Sequence, residues 1–177
     1  MFEIRSQNSF LEKSLISLFE QKKIPLVFSK YNHHKNIIQF SLCGNKTLKI
    51  DFNEYSEKIE IPTSFESLFY KSFKILSNYY IKVGPLILNP IKQSLSTEKK
   101  QIELRYTHTL ILSYFFLNKQ DGISKQKLYS KIWPKDFELN ISKLDTHLTN
   151  LKNLIFEYLE CELNFKSENG VLTFNIN

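Results

Sequence analysis

A polar face on one predicted helix carries the side chains best suited to recognition chemistry. In residues 141–155, "ISKLDTHLTNLKNLI", apolar residues recur every three or four positions, which predicts a helix with one buried side. The other side carries hydroxyl, amide and ammonium groups, on Ser142, Lys143, Thr146, Thr149, Asn150 and Asn153. A threonine methyl group can contact the thymine methyl group, asparagine can pair with adenine through two hydrogen bonds, and lysine can neutralise a phosphate or reach guanine.

Catalytic chemistry finds little support in the sequence. The four glycines are scattered and form neither common phosphate-binding loop. His33 and His34 with Cys43 fit no standard metal spacing, and an exposed polar loop is the favoured interpretation of that segment. Neither a Ser/His/Asp set nor a pair of carboxylates in a glycine-rich cleft can be recognised. We therefore expect a protein that is not an enzyme, with no cofactor and no metal.

The elements around the polar helix predict how it is positioned. Residues 81–104 place Gly84, Pro85 and Pro90 between short apolar runs, which is typical of a small antiparallel sheet. Residues 106–118 are apolar enough for a buried helix, and Ser124 begins a second helix that Pro134 ends. The tail "ELNFKSENGVLTFNI" predicts two strands joined by a type I′ turn at Asn-Gly. This order predicts a winged helix-turn-helix in which the third helix enters the major groove and the hairpin is the wing.

The first half of the chain predicts a smaller α/β or α+β domain over residues 1–80, followed by the winged helix over residues 81–177. "FEIR" alternates as a strand, and the next helix has Asn8 or Ser9 as its N-cap. Residues 36–52 predict a hairpin around Gly44-Asn45, and Ser64 begins a further helix after Pro62. The predicted fold class of the whole chain is α+β.

Composition limits the class of protein. The 177 residues are 42% hydrophobic, with a net charge of +6 and a pI of about 9.1, which favours polyanionic partners. The joint abundance of Asn, Ile, Phe and Lys equally fits AT-rich codon usage, in which case the lysine excess is not an adaptation to binding. The longest apolar run, residues 109–117, is too short to span a bilayer, and the first residues have no apolar signal region. Cys43 and Cys161 are expected to be reduced thiols of a cytoplasmic protein that has no membrane partner.

Residues 83–176 contain the segments "VGPLILNP", "LDTHLTNLKNLI" and "KSENGVLTFNI" in this order. They resemble the first sheet, the recognition helix and the wing of the DNA-binding domain of response regulators of the OmpR/PhoB class of two-component systems. The segment "KKQIELRYTHTLILSYFFLNKQDGISKQKLYSKIW" is similar to the strand and two helices in between. The resemblance implies a winged helix that binds double-stranded DNA.

The resemblance also implies which residues contact DNA. On the third helix these are Ser142, Lys143, Thr146, His147, Thr149, Asn150 and Lys152, and Trp133 would contact the backbone at the end of the second helix. Basic or polar residues on the second helix and the wing complete the set, namely Lys125, Lys127, Lys131, Lys166 and Asn169. The alternatives are that Trp133 and His147 pack in the core and that the lysines of the second helix form an ordinary solvated face.

The N-terminal part is interpreted as a shortened, degenerate receiver-like domain. "IPTSFESLFYKSFKIL" resembles the last helix of a receiver, but the acidic pair expected after the first strand is replaced by Ser6-Gln7-Asn8. Ile61 stands where the family has a lysine before the proline, and no receiver-like pattern follows Asp51. Aspartyl phosphorylation requires carboxylates that hold Mg²⁺ and a cation for the phosphoryl oxygens. No phosphoacceptor is therefore predicted.

Two functions from different classes follow. The first is a sequence-specific transcription regulator of the response-regulator type, not controlled by aspartyl phosphorylation, with a homodimer and RNA polymerase as further partners. The second is a winged-helix interaction module that contacts RNA polymerase or another regulator. It is motivated by Thr149, Asn150 and Asn153, which replace arginines of the family, and by a formal charge of −2 over residues 141–162, from two lysines and four acidic residues.

Overall fold

The computed structural model describes residues 2–24, 36–118 and 122–176 and divides into two compact units, Met1–Tyr79 and Tyr80–Asn177. His33 and His34, which were considered as metal ligands, lie outside the described residues. Within those residues, no helix is both long and apolar enough to cross a membrane.

The first unit combines a four-stranded sheet with two helices. Its elements are β1 (Glu3–Ser6), α1 (Ser9–Gln21), β2 (Ile37–Leu42), β3 (Thr47–Phe52), β4 (Tyr55–Glu60) and α2 (Phe65–Leu76). The strand order is β1-β2-β3-β4, with β1 and β2 parallel and the other two pairs antiparallel. Its core is rich in fully buried aromatic rings, and the Phe2 ring packs edge-on against Phe52 at 5.4 Å and Tyr79 at 5.0 Å.

Local sequence signals position these elements. The Asn8 side chain accepts hydrogen bonds from the backbone N–H groups of Phe10 and Leu11, and Ser64 accepts one from Ser67, so both predicted N-caps are confirmed. The predicted hairpin is also confirmed, with Gly44 at a φ of +70° between β2 and β3. Strand β4 was not predicted. It follows a two-residue turn in which Asn53 has a φ of +51°.

The sheet of this unit corrects the receiver-like interpretation. A receiver of the flavodoxin-like type has a doubly wound parallel sheet with helices between successive strands. Here only β1 and β2 are parallel, because short turns at residues 43–46 and 53–54 return the chain directly to its neighbour. Parallel pairing would need a crossover of about a dozen residues or more. The receiver-like description is therefore wrong for this sheet, whereas a small α+β unit is what the described residues form.

The second unit contains two sheets and three helices. Its elements are β5 (Ile81–Val83), β6 (Leu86–Asn89), β7 (Ser94–Ser96), β8 (Gln101–Glu103), α3 (Tyr106–Leu117), β9 (Ile123–Ser124), α4 (Lys125–Ile132), α5 (Ile141–Leu159), β10 (Leu163–Glu168) and β11 (Val171–Ile176). Strands β5-β6-β7-β8 form one antiparallel sheet, and β10-β11-β9 form the other. The predicted order of a small sheet, three helices and a C-terminal hairpin is confirmed.

Helix α5 is the longest helix of the described residues, and its ends are defined by local bonds. The Asn140 side chain accepts a hydrogen bond from the Lys143 N–H, and Glu160 ends the helix in the left-handed conformation at a φ of +56°. Its buried stripe packs on the rest of the unit through Leu144, Leu148, Leu151, Ile155 and Leu159. The 19-residue helix is therefore held along its whole length by apolar contact.

The wing is fastened to the start of α4 by a short strand that sequence reasoning missed. Ile123 and Ser124 of β9 pair with Leu172 and Val171, and the Lys125 N–H donates to the Gly170 carbonyl oxygen at 2.9 Å. At Gly122, with a φ of +65°, a Cβ atom would lie 2.8 Å from the Leu172 carbonyl oxygen, so only glycine fits. A strand of two residues is too short for a periodic sequence signal.

The predicted Asn-Gly turn joins the two wing strands. Asn169 and Gly170 have φ values of +50° and +76°, as a type I′ turn requires at its two central positions. Phe115 of α3 packs its ring against Phe165 at 5.0 Å and Phe174 at 5.5 Å, which attaches the hairpin to the core.

Candidate nucleic-acid interface

One face of α5 forms an exposed polar surface, which we call the α5 ridge. It consists of Ser142, Thr146, Thr149, Asn150 and Asn153, all of them exposed. Apart from the adjacent Thr149 and Asn150, successive positions are three or four residues apart, so the five residues lie on one side of the helix, opposite the buried leucines. The structure thus brings together Ser142, Thr146, Thr149 and Asn150, which were predicted to contact DNA. Asn153, which was predicted only to lie on the polar face, is beside them.

The two threonines of the ridge use their hydroxyl protons within the helix. Thr146 Oγ1 donates to the Ser142 carbonyl oxygen at 2.9 Å, and Thr149 Oγ1 donates to the Asp145 carbonyl oxygen at 3.0 Å. Each hydroxyl then keeps only acceptor capacity, while the exposed side chain still has its methyl group. Thr146 and Thr149 therefore offer apolar contact more readily than a donated hydrogen bond.

The lysines beside the ridge are held by partners. Lys143 Nζ lies 2.9 Å from Asp136 Oδ2 and 4.4 Å from the centroid of the Trp133 ring, which is ion-pair and cation–π geometry. Lys152 Nζ donates to Asn164 Oδ1 at 2.9 Å. Lys125 Nζ, on α4, lies 2.7 Å from Asp145 Oδ1. The sequence analysis treated all three lysines as cations directed at DNA. It did not predict their partners, because Asn164 and Asp145 are distant in sequence from their lysines and Asp136 lies in the loop before α5.

Asp136 is the hub of the bonds that hold Lys143. The Tyr129 hydroxyl donates to Asp136 Oδ2 at 2.6 Å, and the same oxygen accepts from Lys143. The hydrogen bond from Tyr129, followed by that from Lys143, lowers the pKa of the Asp136 carboxyl group. The carboxylate is therefore charged at neutral pH and opposes the Lys143 charge at the first turn of α5.

Three of the predicted cations remain solvated. Lys127 and Lys131 are exposed on α4, and Lys166 is exposed on β10 of the wing. None of the ion pairs formed within residues 2–24, 36–118 and 122–176 includes any of them. Asn169 is exposed at the tip of the wing. These residues lie on the two elements that flank α5, where phosphate groups would run if a duplex were bound to the ridge.

His147 and Trp133 lie at the edge of the core rather than on the ridge. The half-buried Trp133 ring packs on Tyr129 at 4.8 Å and on His147 at 5.3 Å. The His147 ring then meets the buried His108 ring edge-on at 5.6 Å. The Nδ1 atoms of both histidines are buried and have no hydrogen-bond partner among the described residues. The packing alternative is therefore favoured for His147, which the resemblance placed among the DNA contacts.

Burial also controls the protonation of the histidine pair. It is the main cause that lowers the pKa of His108, followed by the neighbouring His147 and then Arg105. The pKa of His147 is lowered mainly by burial, and then by the charges of Lys143 and Arg105. Both imidazole rings are consequently neutral at pH 7.

A groove of about 470 Å³ separates the ridge from the wing. Its lining includes Thr149 and Asn153 from the ridge, Phe165 and Ser167 from the wing, and the ion pair described above for Lys125. Among the described residues, no group of three or more His, Cys, Asp or Glu side chains could hold a metal ion. The groove and the ridge beside it therefore offer hydrogen-bonding and apolar groups.

No family model matches the chain, and no curated protein matches its sequence. Among solved structures it is similar to the C-terminal domain of the nisin resistance regulator NsrR, a lantibiotic response regulator, with 23% identity and a TM-score of 0.40. That match covers 53% of this chain and 92% of that one. It is also similar to the DNA-binding domain of E. coli CadC, with 13% identity and a TM-score of 0.48 over 57% and 94% of the two chains.

A third similar structure is the DNA-binding domain of CpxR from E. coli, with 21% identity, a TM-score of 0.43 and coverage of 55% and 94%. All three TM-scores lie below 0.5. The function of this chain is therefore inferred from its own geometry.

Proposed function

We propose that the second unit binds double-stranded DNA with sequence preference and that the protein regulates transcription. The observation that carries this proposal is the α5 ridge, an exposed hydrogen-bonding surface on a helix that is rigidly packed on its other side. A helix of 19 residues is about 28 Å long, and the major groove, about 12 Å wide, admits a helix. Lys127 and Lys131 on one flank and Lys166 on the other would contact phosphates.

One of the held lysines, Lys143, would exchange partners when DNA binds. Its partly exposed ion pair with Asp136 contributes only about 0–1 kcal/mol, so a phosphate can displace Asp136, whereas the less exposed Lys125 stays paired with Asp145. Because the two carboxylates would remain near the duplex, they reduce the affinity below that of the same surface without them. A homodimer would double the number of phosphate contacts and compensate for this loss.

The proposed regulator does not depend on aspartyl phosphorylation. Asp51 lies in the middle of strand β3, opposite Gln39 and Ser56 on the neighbouring strands. Its carboxylate is 2.8 Å from Lys49 Nζ, so it already has a cationic partner on its own strand. A phosphoacceptor instead needs neighbouring carboxylates that hold a magnesium ion.

A second candidate function is an interaction module that contacts RNA polymerase or another regulator. The observation in its favour is the loop between α4 and α5, where the Phe137 side chain is fully exposed and Leu139 is also exposed. These two residues line a concavity of about 290 Å³ together with Tyr129 and Trp133. Exposed apolar side chains around a concave surface are typical of protein interaction sites.

Binding of the full chain to a pool of random-sequence duplexes tests the first function. Fluorescence anisotropy between 50 and 200 mM salt should show an affinity that falls steeply with salt, as the release of counterions from several phosphates requires. The double variant Lys127→Glu/Lys131→Glu should lose most of this binding. Lys92→Glu/Lys99→Glu, which changes two exposed lysines on the turns that follow β6 and β7, is the matched charge control.

Absence of binding even at 50 mM salt would overturn the DNA-binding proposal. Retention of RNA polymerase or a regulator by the wild-type chain, with loss in Phe137→Ser, would then support the interaction module.

A further inference from the structure

We propose that the α5 ridge reads A·T base pairs in the major groove, so that the DNA ligand is a duplex with an A·T-rich core. This inference rests on the proposed DNA binding and specifies its ligand.

The exposed groups of the ridge match the edges of adenine and thymine. An asparagine side chain pairs with adenine N6 and N7 through two hydrogen bonds, and an apolar group contacts the thymine methyl group. Asn150 and Asn153 provide the two amides, and Thr146 and Thr149 provide methyl groups. Because both threonine hydroxyls donate to carbonyl oxygens of their own helix, their protons are not available to a guanine or thymine oxygen.

The groups that read guanine are held away from the ridge. Guanine is usually read by arginine or lysine through O6 and N7. Helix α5 has no arginine, and its two lysines are Lys143, bound to Asp136 over the Trp133 ring, and Lys152, bound to Asn164. The partners of both lysines lie outside α5, so each ammonium group is drawn toward the loop or the wing.

The group that could read cytosine is also engaged. A carboxylate accepts a hydrogen bond from cytosine N4, and Asp145 is the only carboxylate in the first four turns of α5. Its Oδ1 atom lies 2.7 Å from Lys125 Nζ, so the carboxylate faces α4. The lysines and the carboxylate that could contact guanine or cytosine are therefore bound to other side chains. The groups left exposed on the ridge are amides and methyl groups, which favour A·T pairs.

The length of the ridge sets the size of the A·T core. Ser142 and Asn153 are eleven residues apart, or about 16 Å along the helix axis. At about 3.4 Å per base pair this distance corresponds to roughly five base pairs for one chain. A dimer would read two such cores.

Selection of bound duplexes from a fully randomised pool, with the full chain at low salt, tests the inference. The expected result is a core of about five positions in which A·T pairs dominate. Each well-read pair should be favoured on the order of tenfold to a hundredfold over G·C. Selection of G·C pairs, or equal binding of all sequences, would overturn the inference and leave DNA binding intact. Failure to bind any duplex would overturn the proposed function itself.

Modified bases separate major-groove reading from a preference for DNA shape. An inosine·cytosine pair resembles A·T in the minor groove and G·C in the major groove, so it should bind as weakly as G·C. Binding as strong as that of A·T would place the reading in the minor groove and contradict the proposal. Replacing thymine by uracil removes the methyl group and should weaken binding about fourfold for each threonine contact.

Asn150→Arg should change the preferred pair at one core position from A·T to G·C, because arginine reads guanine. Asn45→Arg, in the hairpin turn of the first unit, adds the same charge and should leave the selected sequence unchanged. If both variants select the same core as the wild-type chain, Asn150 does not read a base and its role in the proposal is wrong.

Discussion

The two faces of helix α5 differ in burial and in chemistry, although their residues alternate along one segment. The buried face consists of Leu144, Leu148, Leu151, Ile155 and Leu159, and it determines where the helix lies. The opposite face, the α5 ridge, contributes little to packing and presents hydroxyl, amide and methyl groups to solvent. Stability and surface chemistry can therefore be changed independently on this helix, because side chains three or four residues apart share a face.

The largest expected effect on the buried face is a loss of stability in Leu151→Ala. Leu151 is fully buried, so its truncation leaves a cavity and should lower the free energy of unfolding by about 2–5 kcal/mol. Denaturation followed by the fluorescence of Trp133, the single tryptophan, reports on the second unit. Asn150→Ala, one position earlier on the ridge, should change stability by only about 0.5 kcal/mol or less. Equal effects of the two variants would contradict the separation of the faces.

The next largest expected effect is a change in the salt dependence of DNA affinity when two lysines beside the ridge are removed. Lys127→Ala/Lys131→Ala removes two exposed cations without opening a cavity. If each contacts one phosphate, the slope of log affinity against log salt should become shallower by about 1.8, with affinity lower by roughly tenfold to a hundredfold at 0.1 M salt. The thermal midpoint should stay within a few degrees of wild type. An unchanged slope would show that α4 does not contact the duplex.

A smaller effect is expected at the start of α5, where the two faces begin. Asn140→Ala removes the side chain that accepts the Lys143 N–H at 3.0 Å and should cost about 1 kcal/mol of stability. Ser142→Ala, on the ridge two residues later, should be nearly neutral in the same denaturation experiment. If Asn140→Ala changed stability as little as Ser142→Ala, the Asn140 side chain would not be the group that caps α5.

The smallest expected effect is a loss of folding stability that is absent at neutral pH and increases as the pH falls. The folded protein holds the pKa of both His108 and His147 below the ordinary value, mainly through burial. Once the pH falls below the unfolded-state pKa of about 6.5, the unfolded chain binds more protons, so stability decreases until the folded-state pKa is passed. His108→Phe should flatten the pH dependence of stability between pH 7 and about 5. The lowered pKa values of Asp136 and Glu160 act in the same direction, but only near their own, more acidic range below about pH 4.

The fold was predictable wherever a segment has its own signal. Apolar spacing predicted α5, side-chain caps at Asn8, Ser64 and Ser124 predicted three helix starts, and Asn-Gly predicted the wing turn. Strand β9 was missed because it has two residues, and it pairs with wing residues 47 and 49 positions later in the chain. The receiver-like interpretation of the first unit was wrong because the order and direction of strand pairing are set by contacts between segments and not by the pattern of any one of them.

Sequence alone therefore determined the ridge, since helix periodicity converts spacing into a shared face without knowledge of the rest of the fold. Which cations and rings lie beside that surface depends on how the elements pack in three dimensions. In the folded unit Lys143 pairs with Asp136, Lys125 pairs with Asp145, and His147 packs between Trp133 and His108. An ion pair or a ring contact needs distances of a few ångströms between different elements, and these distances exist only after the helices and the wing have packed together.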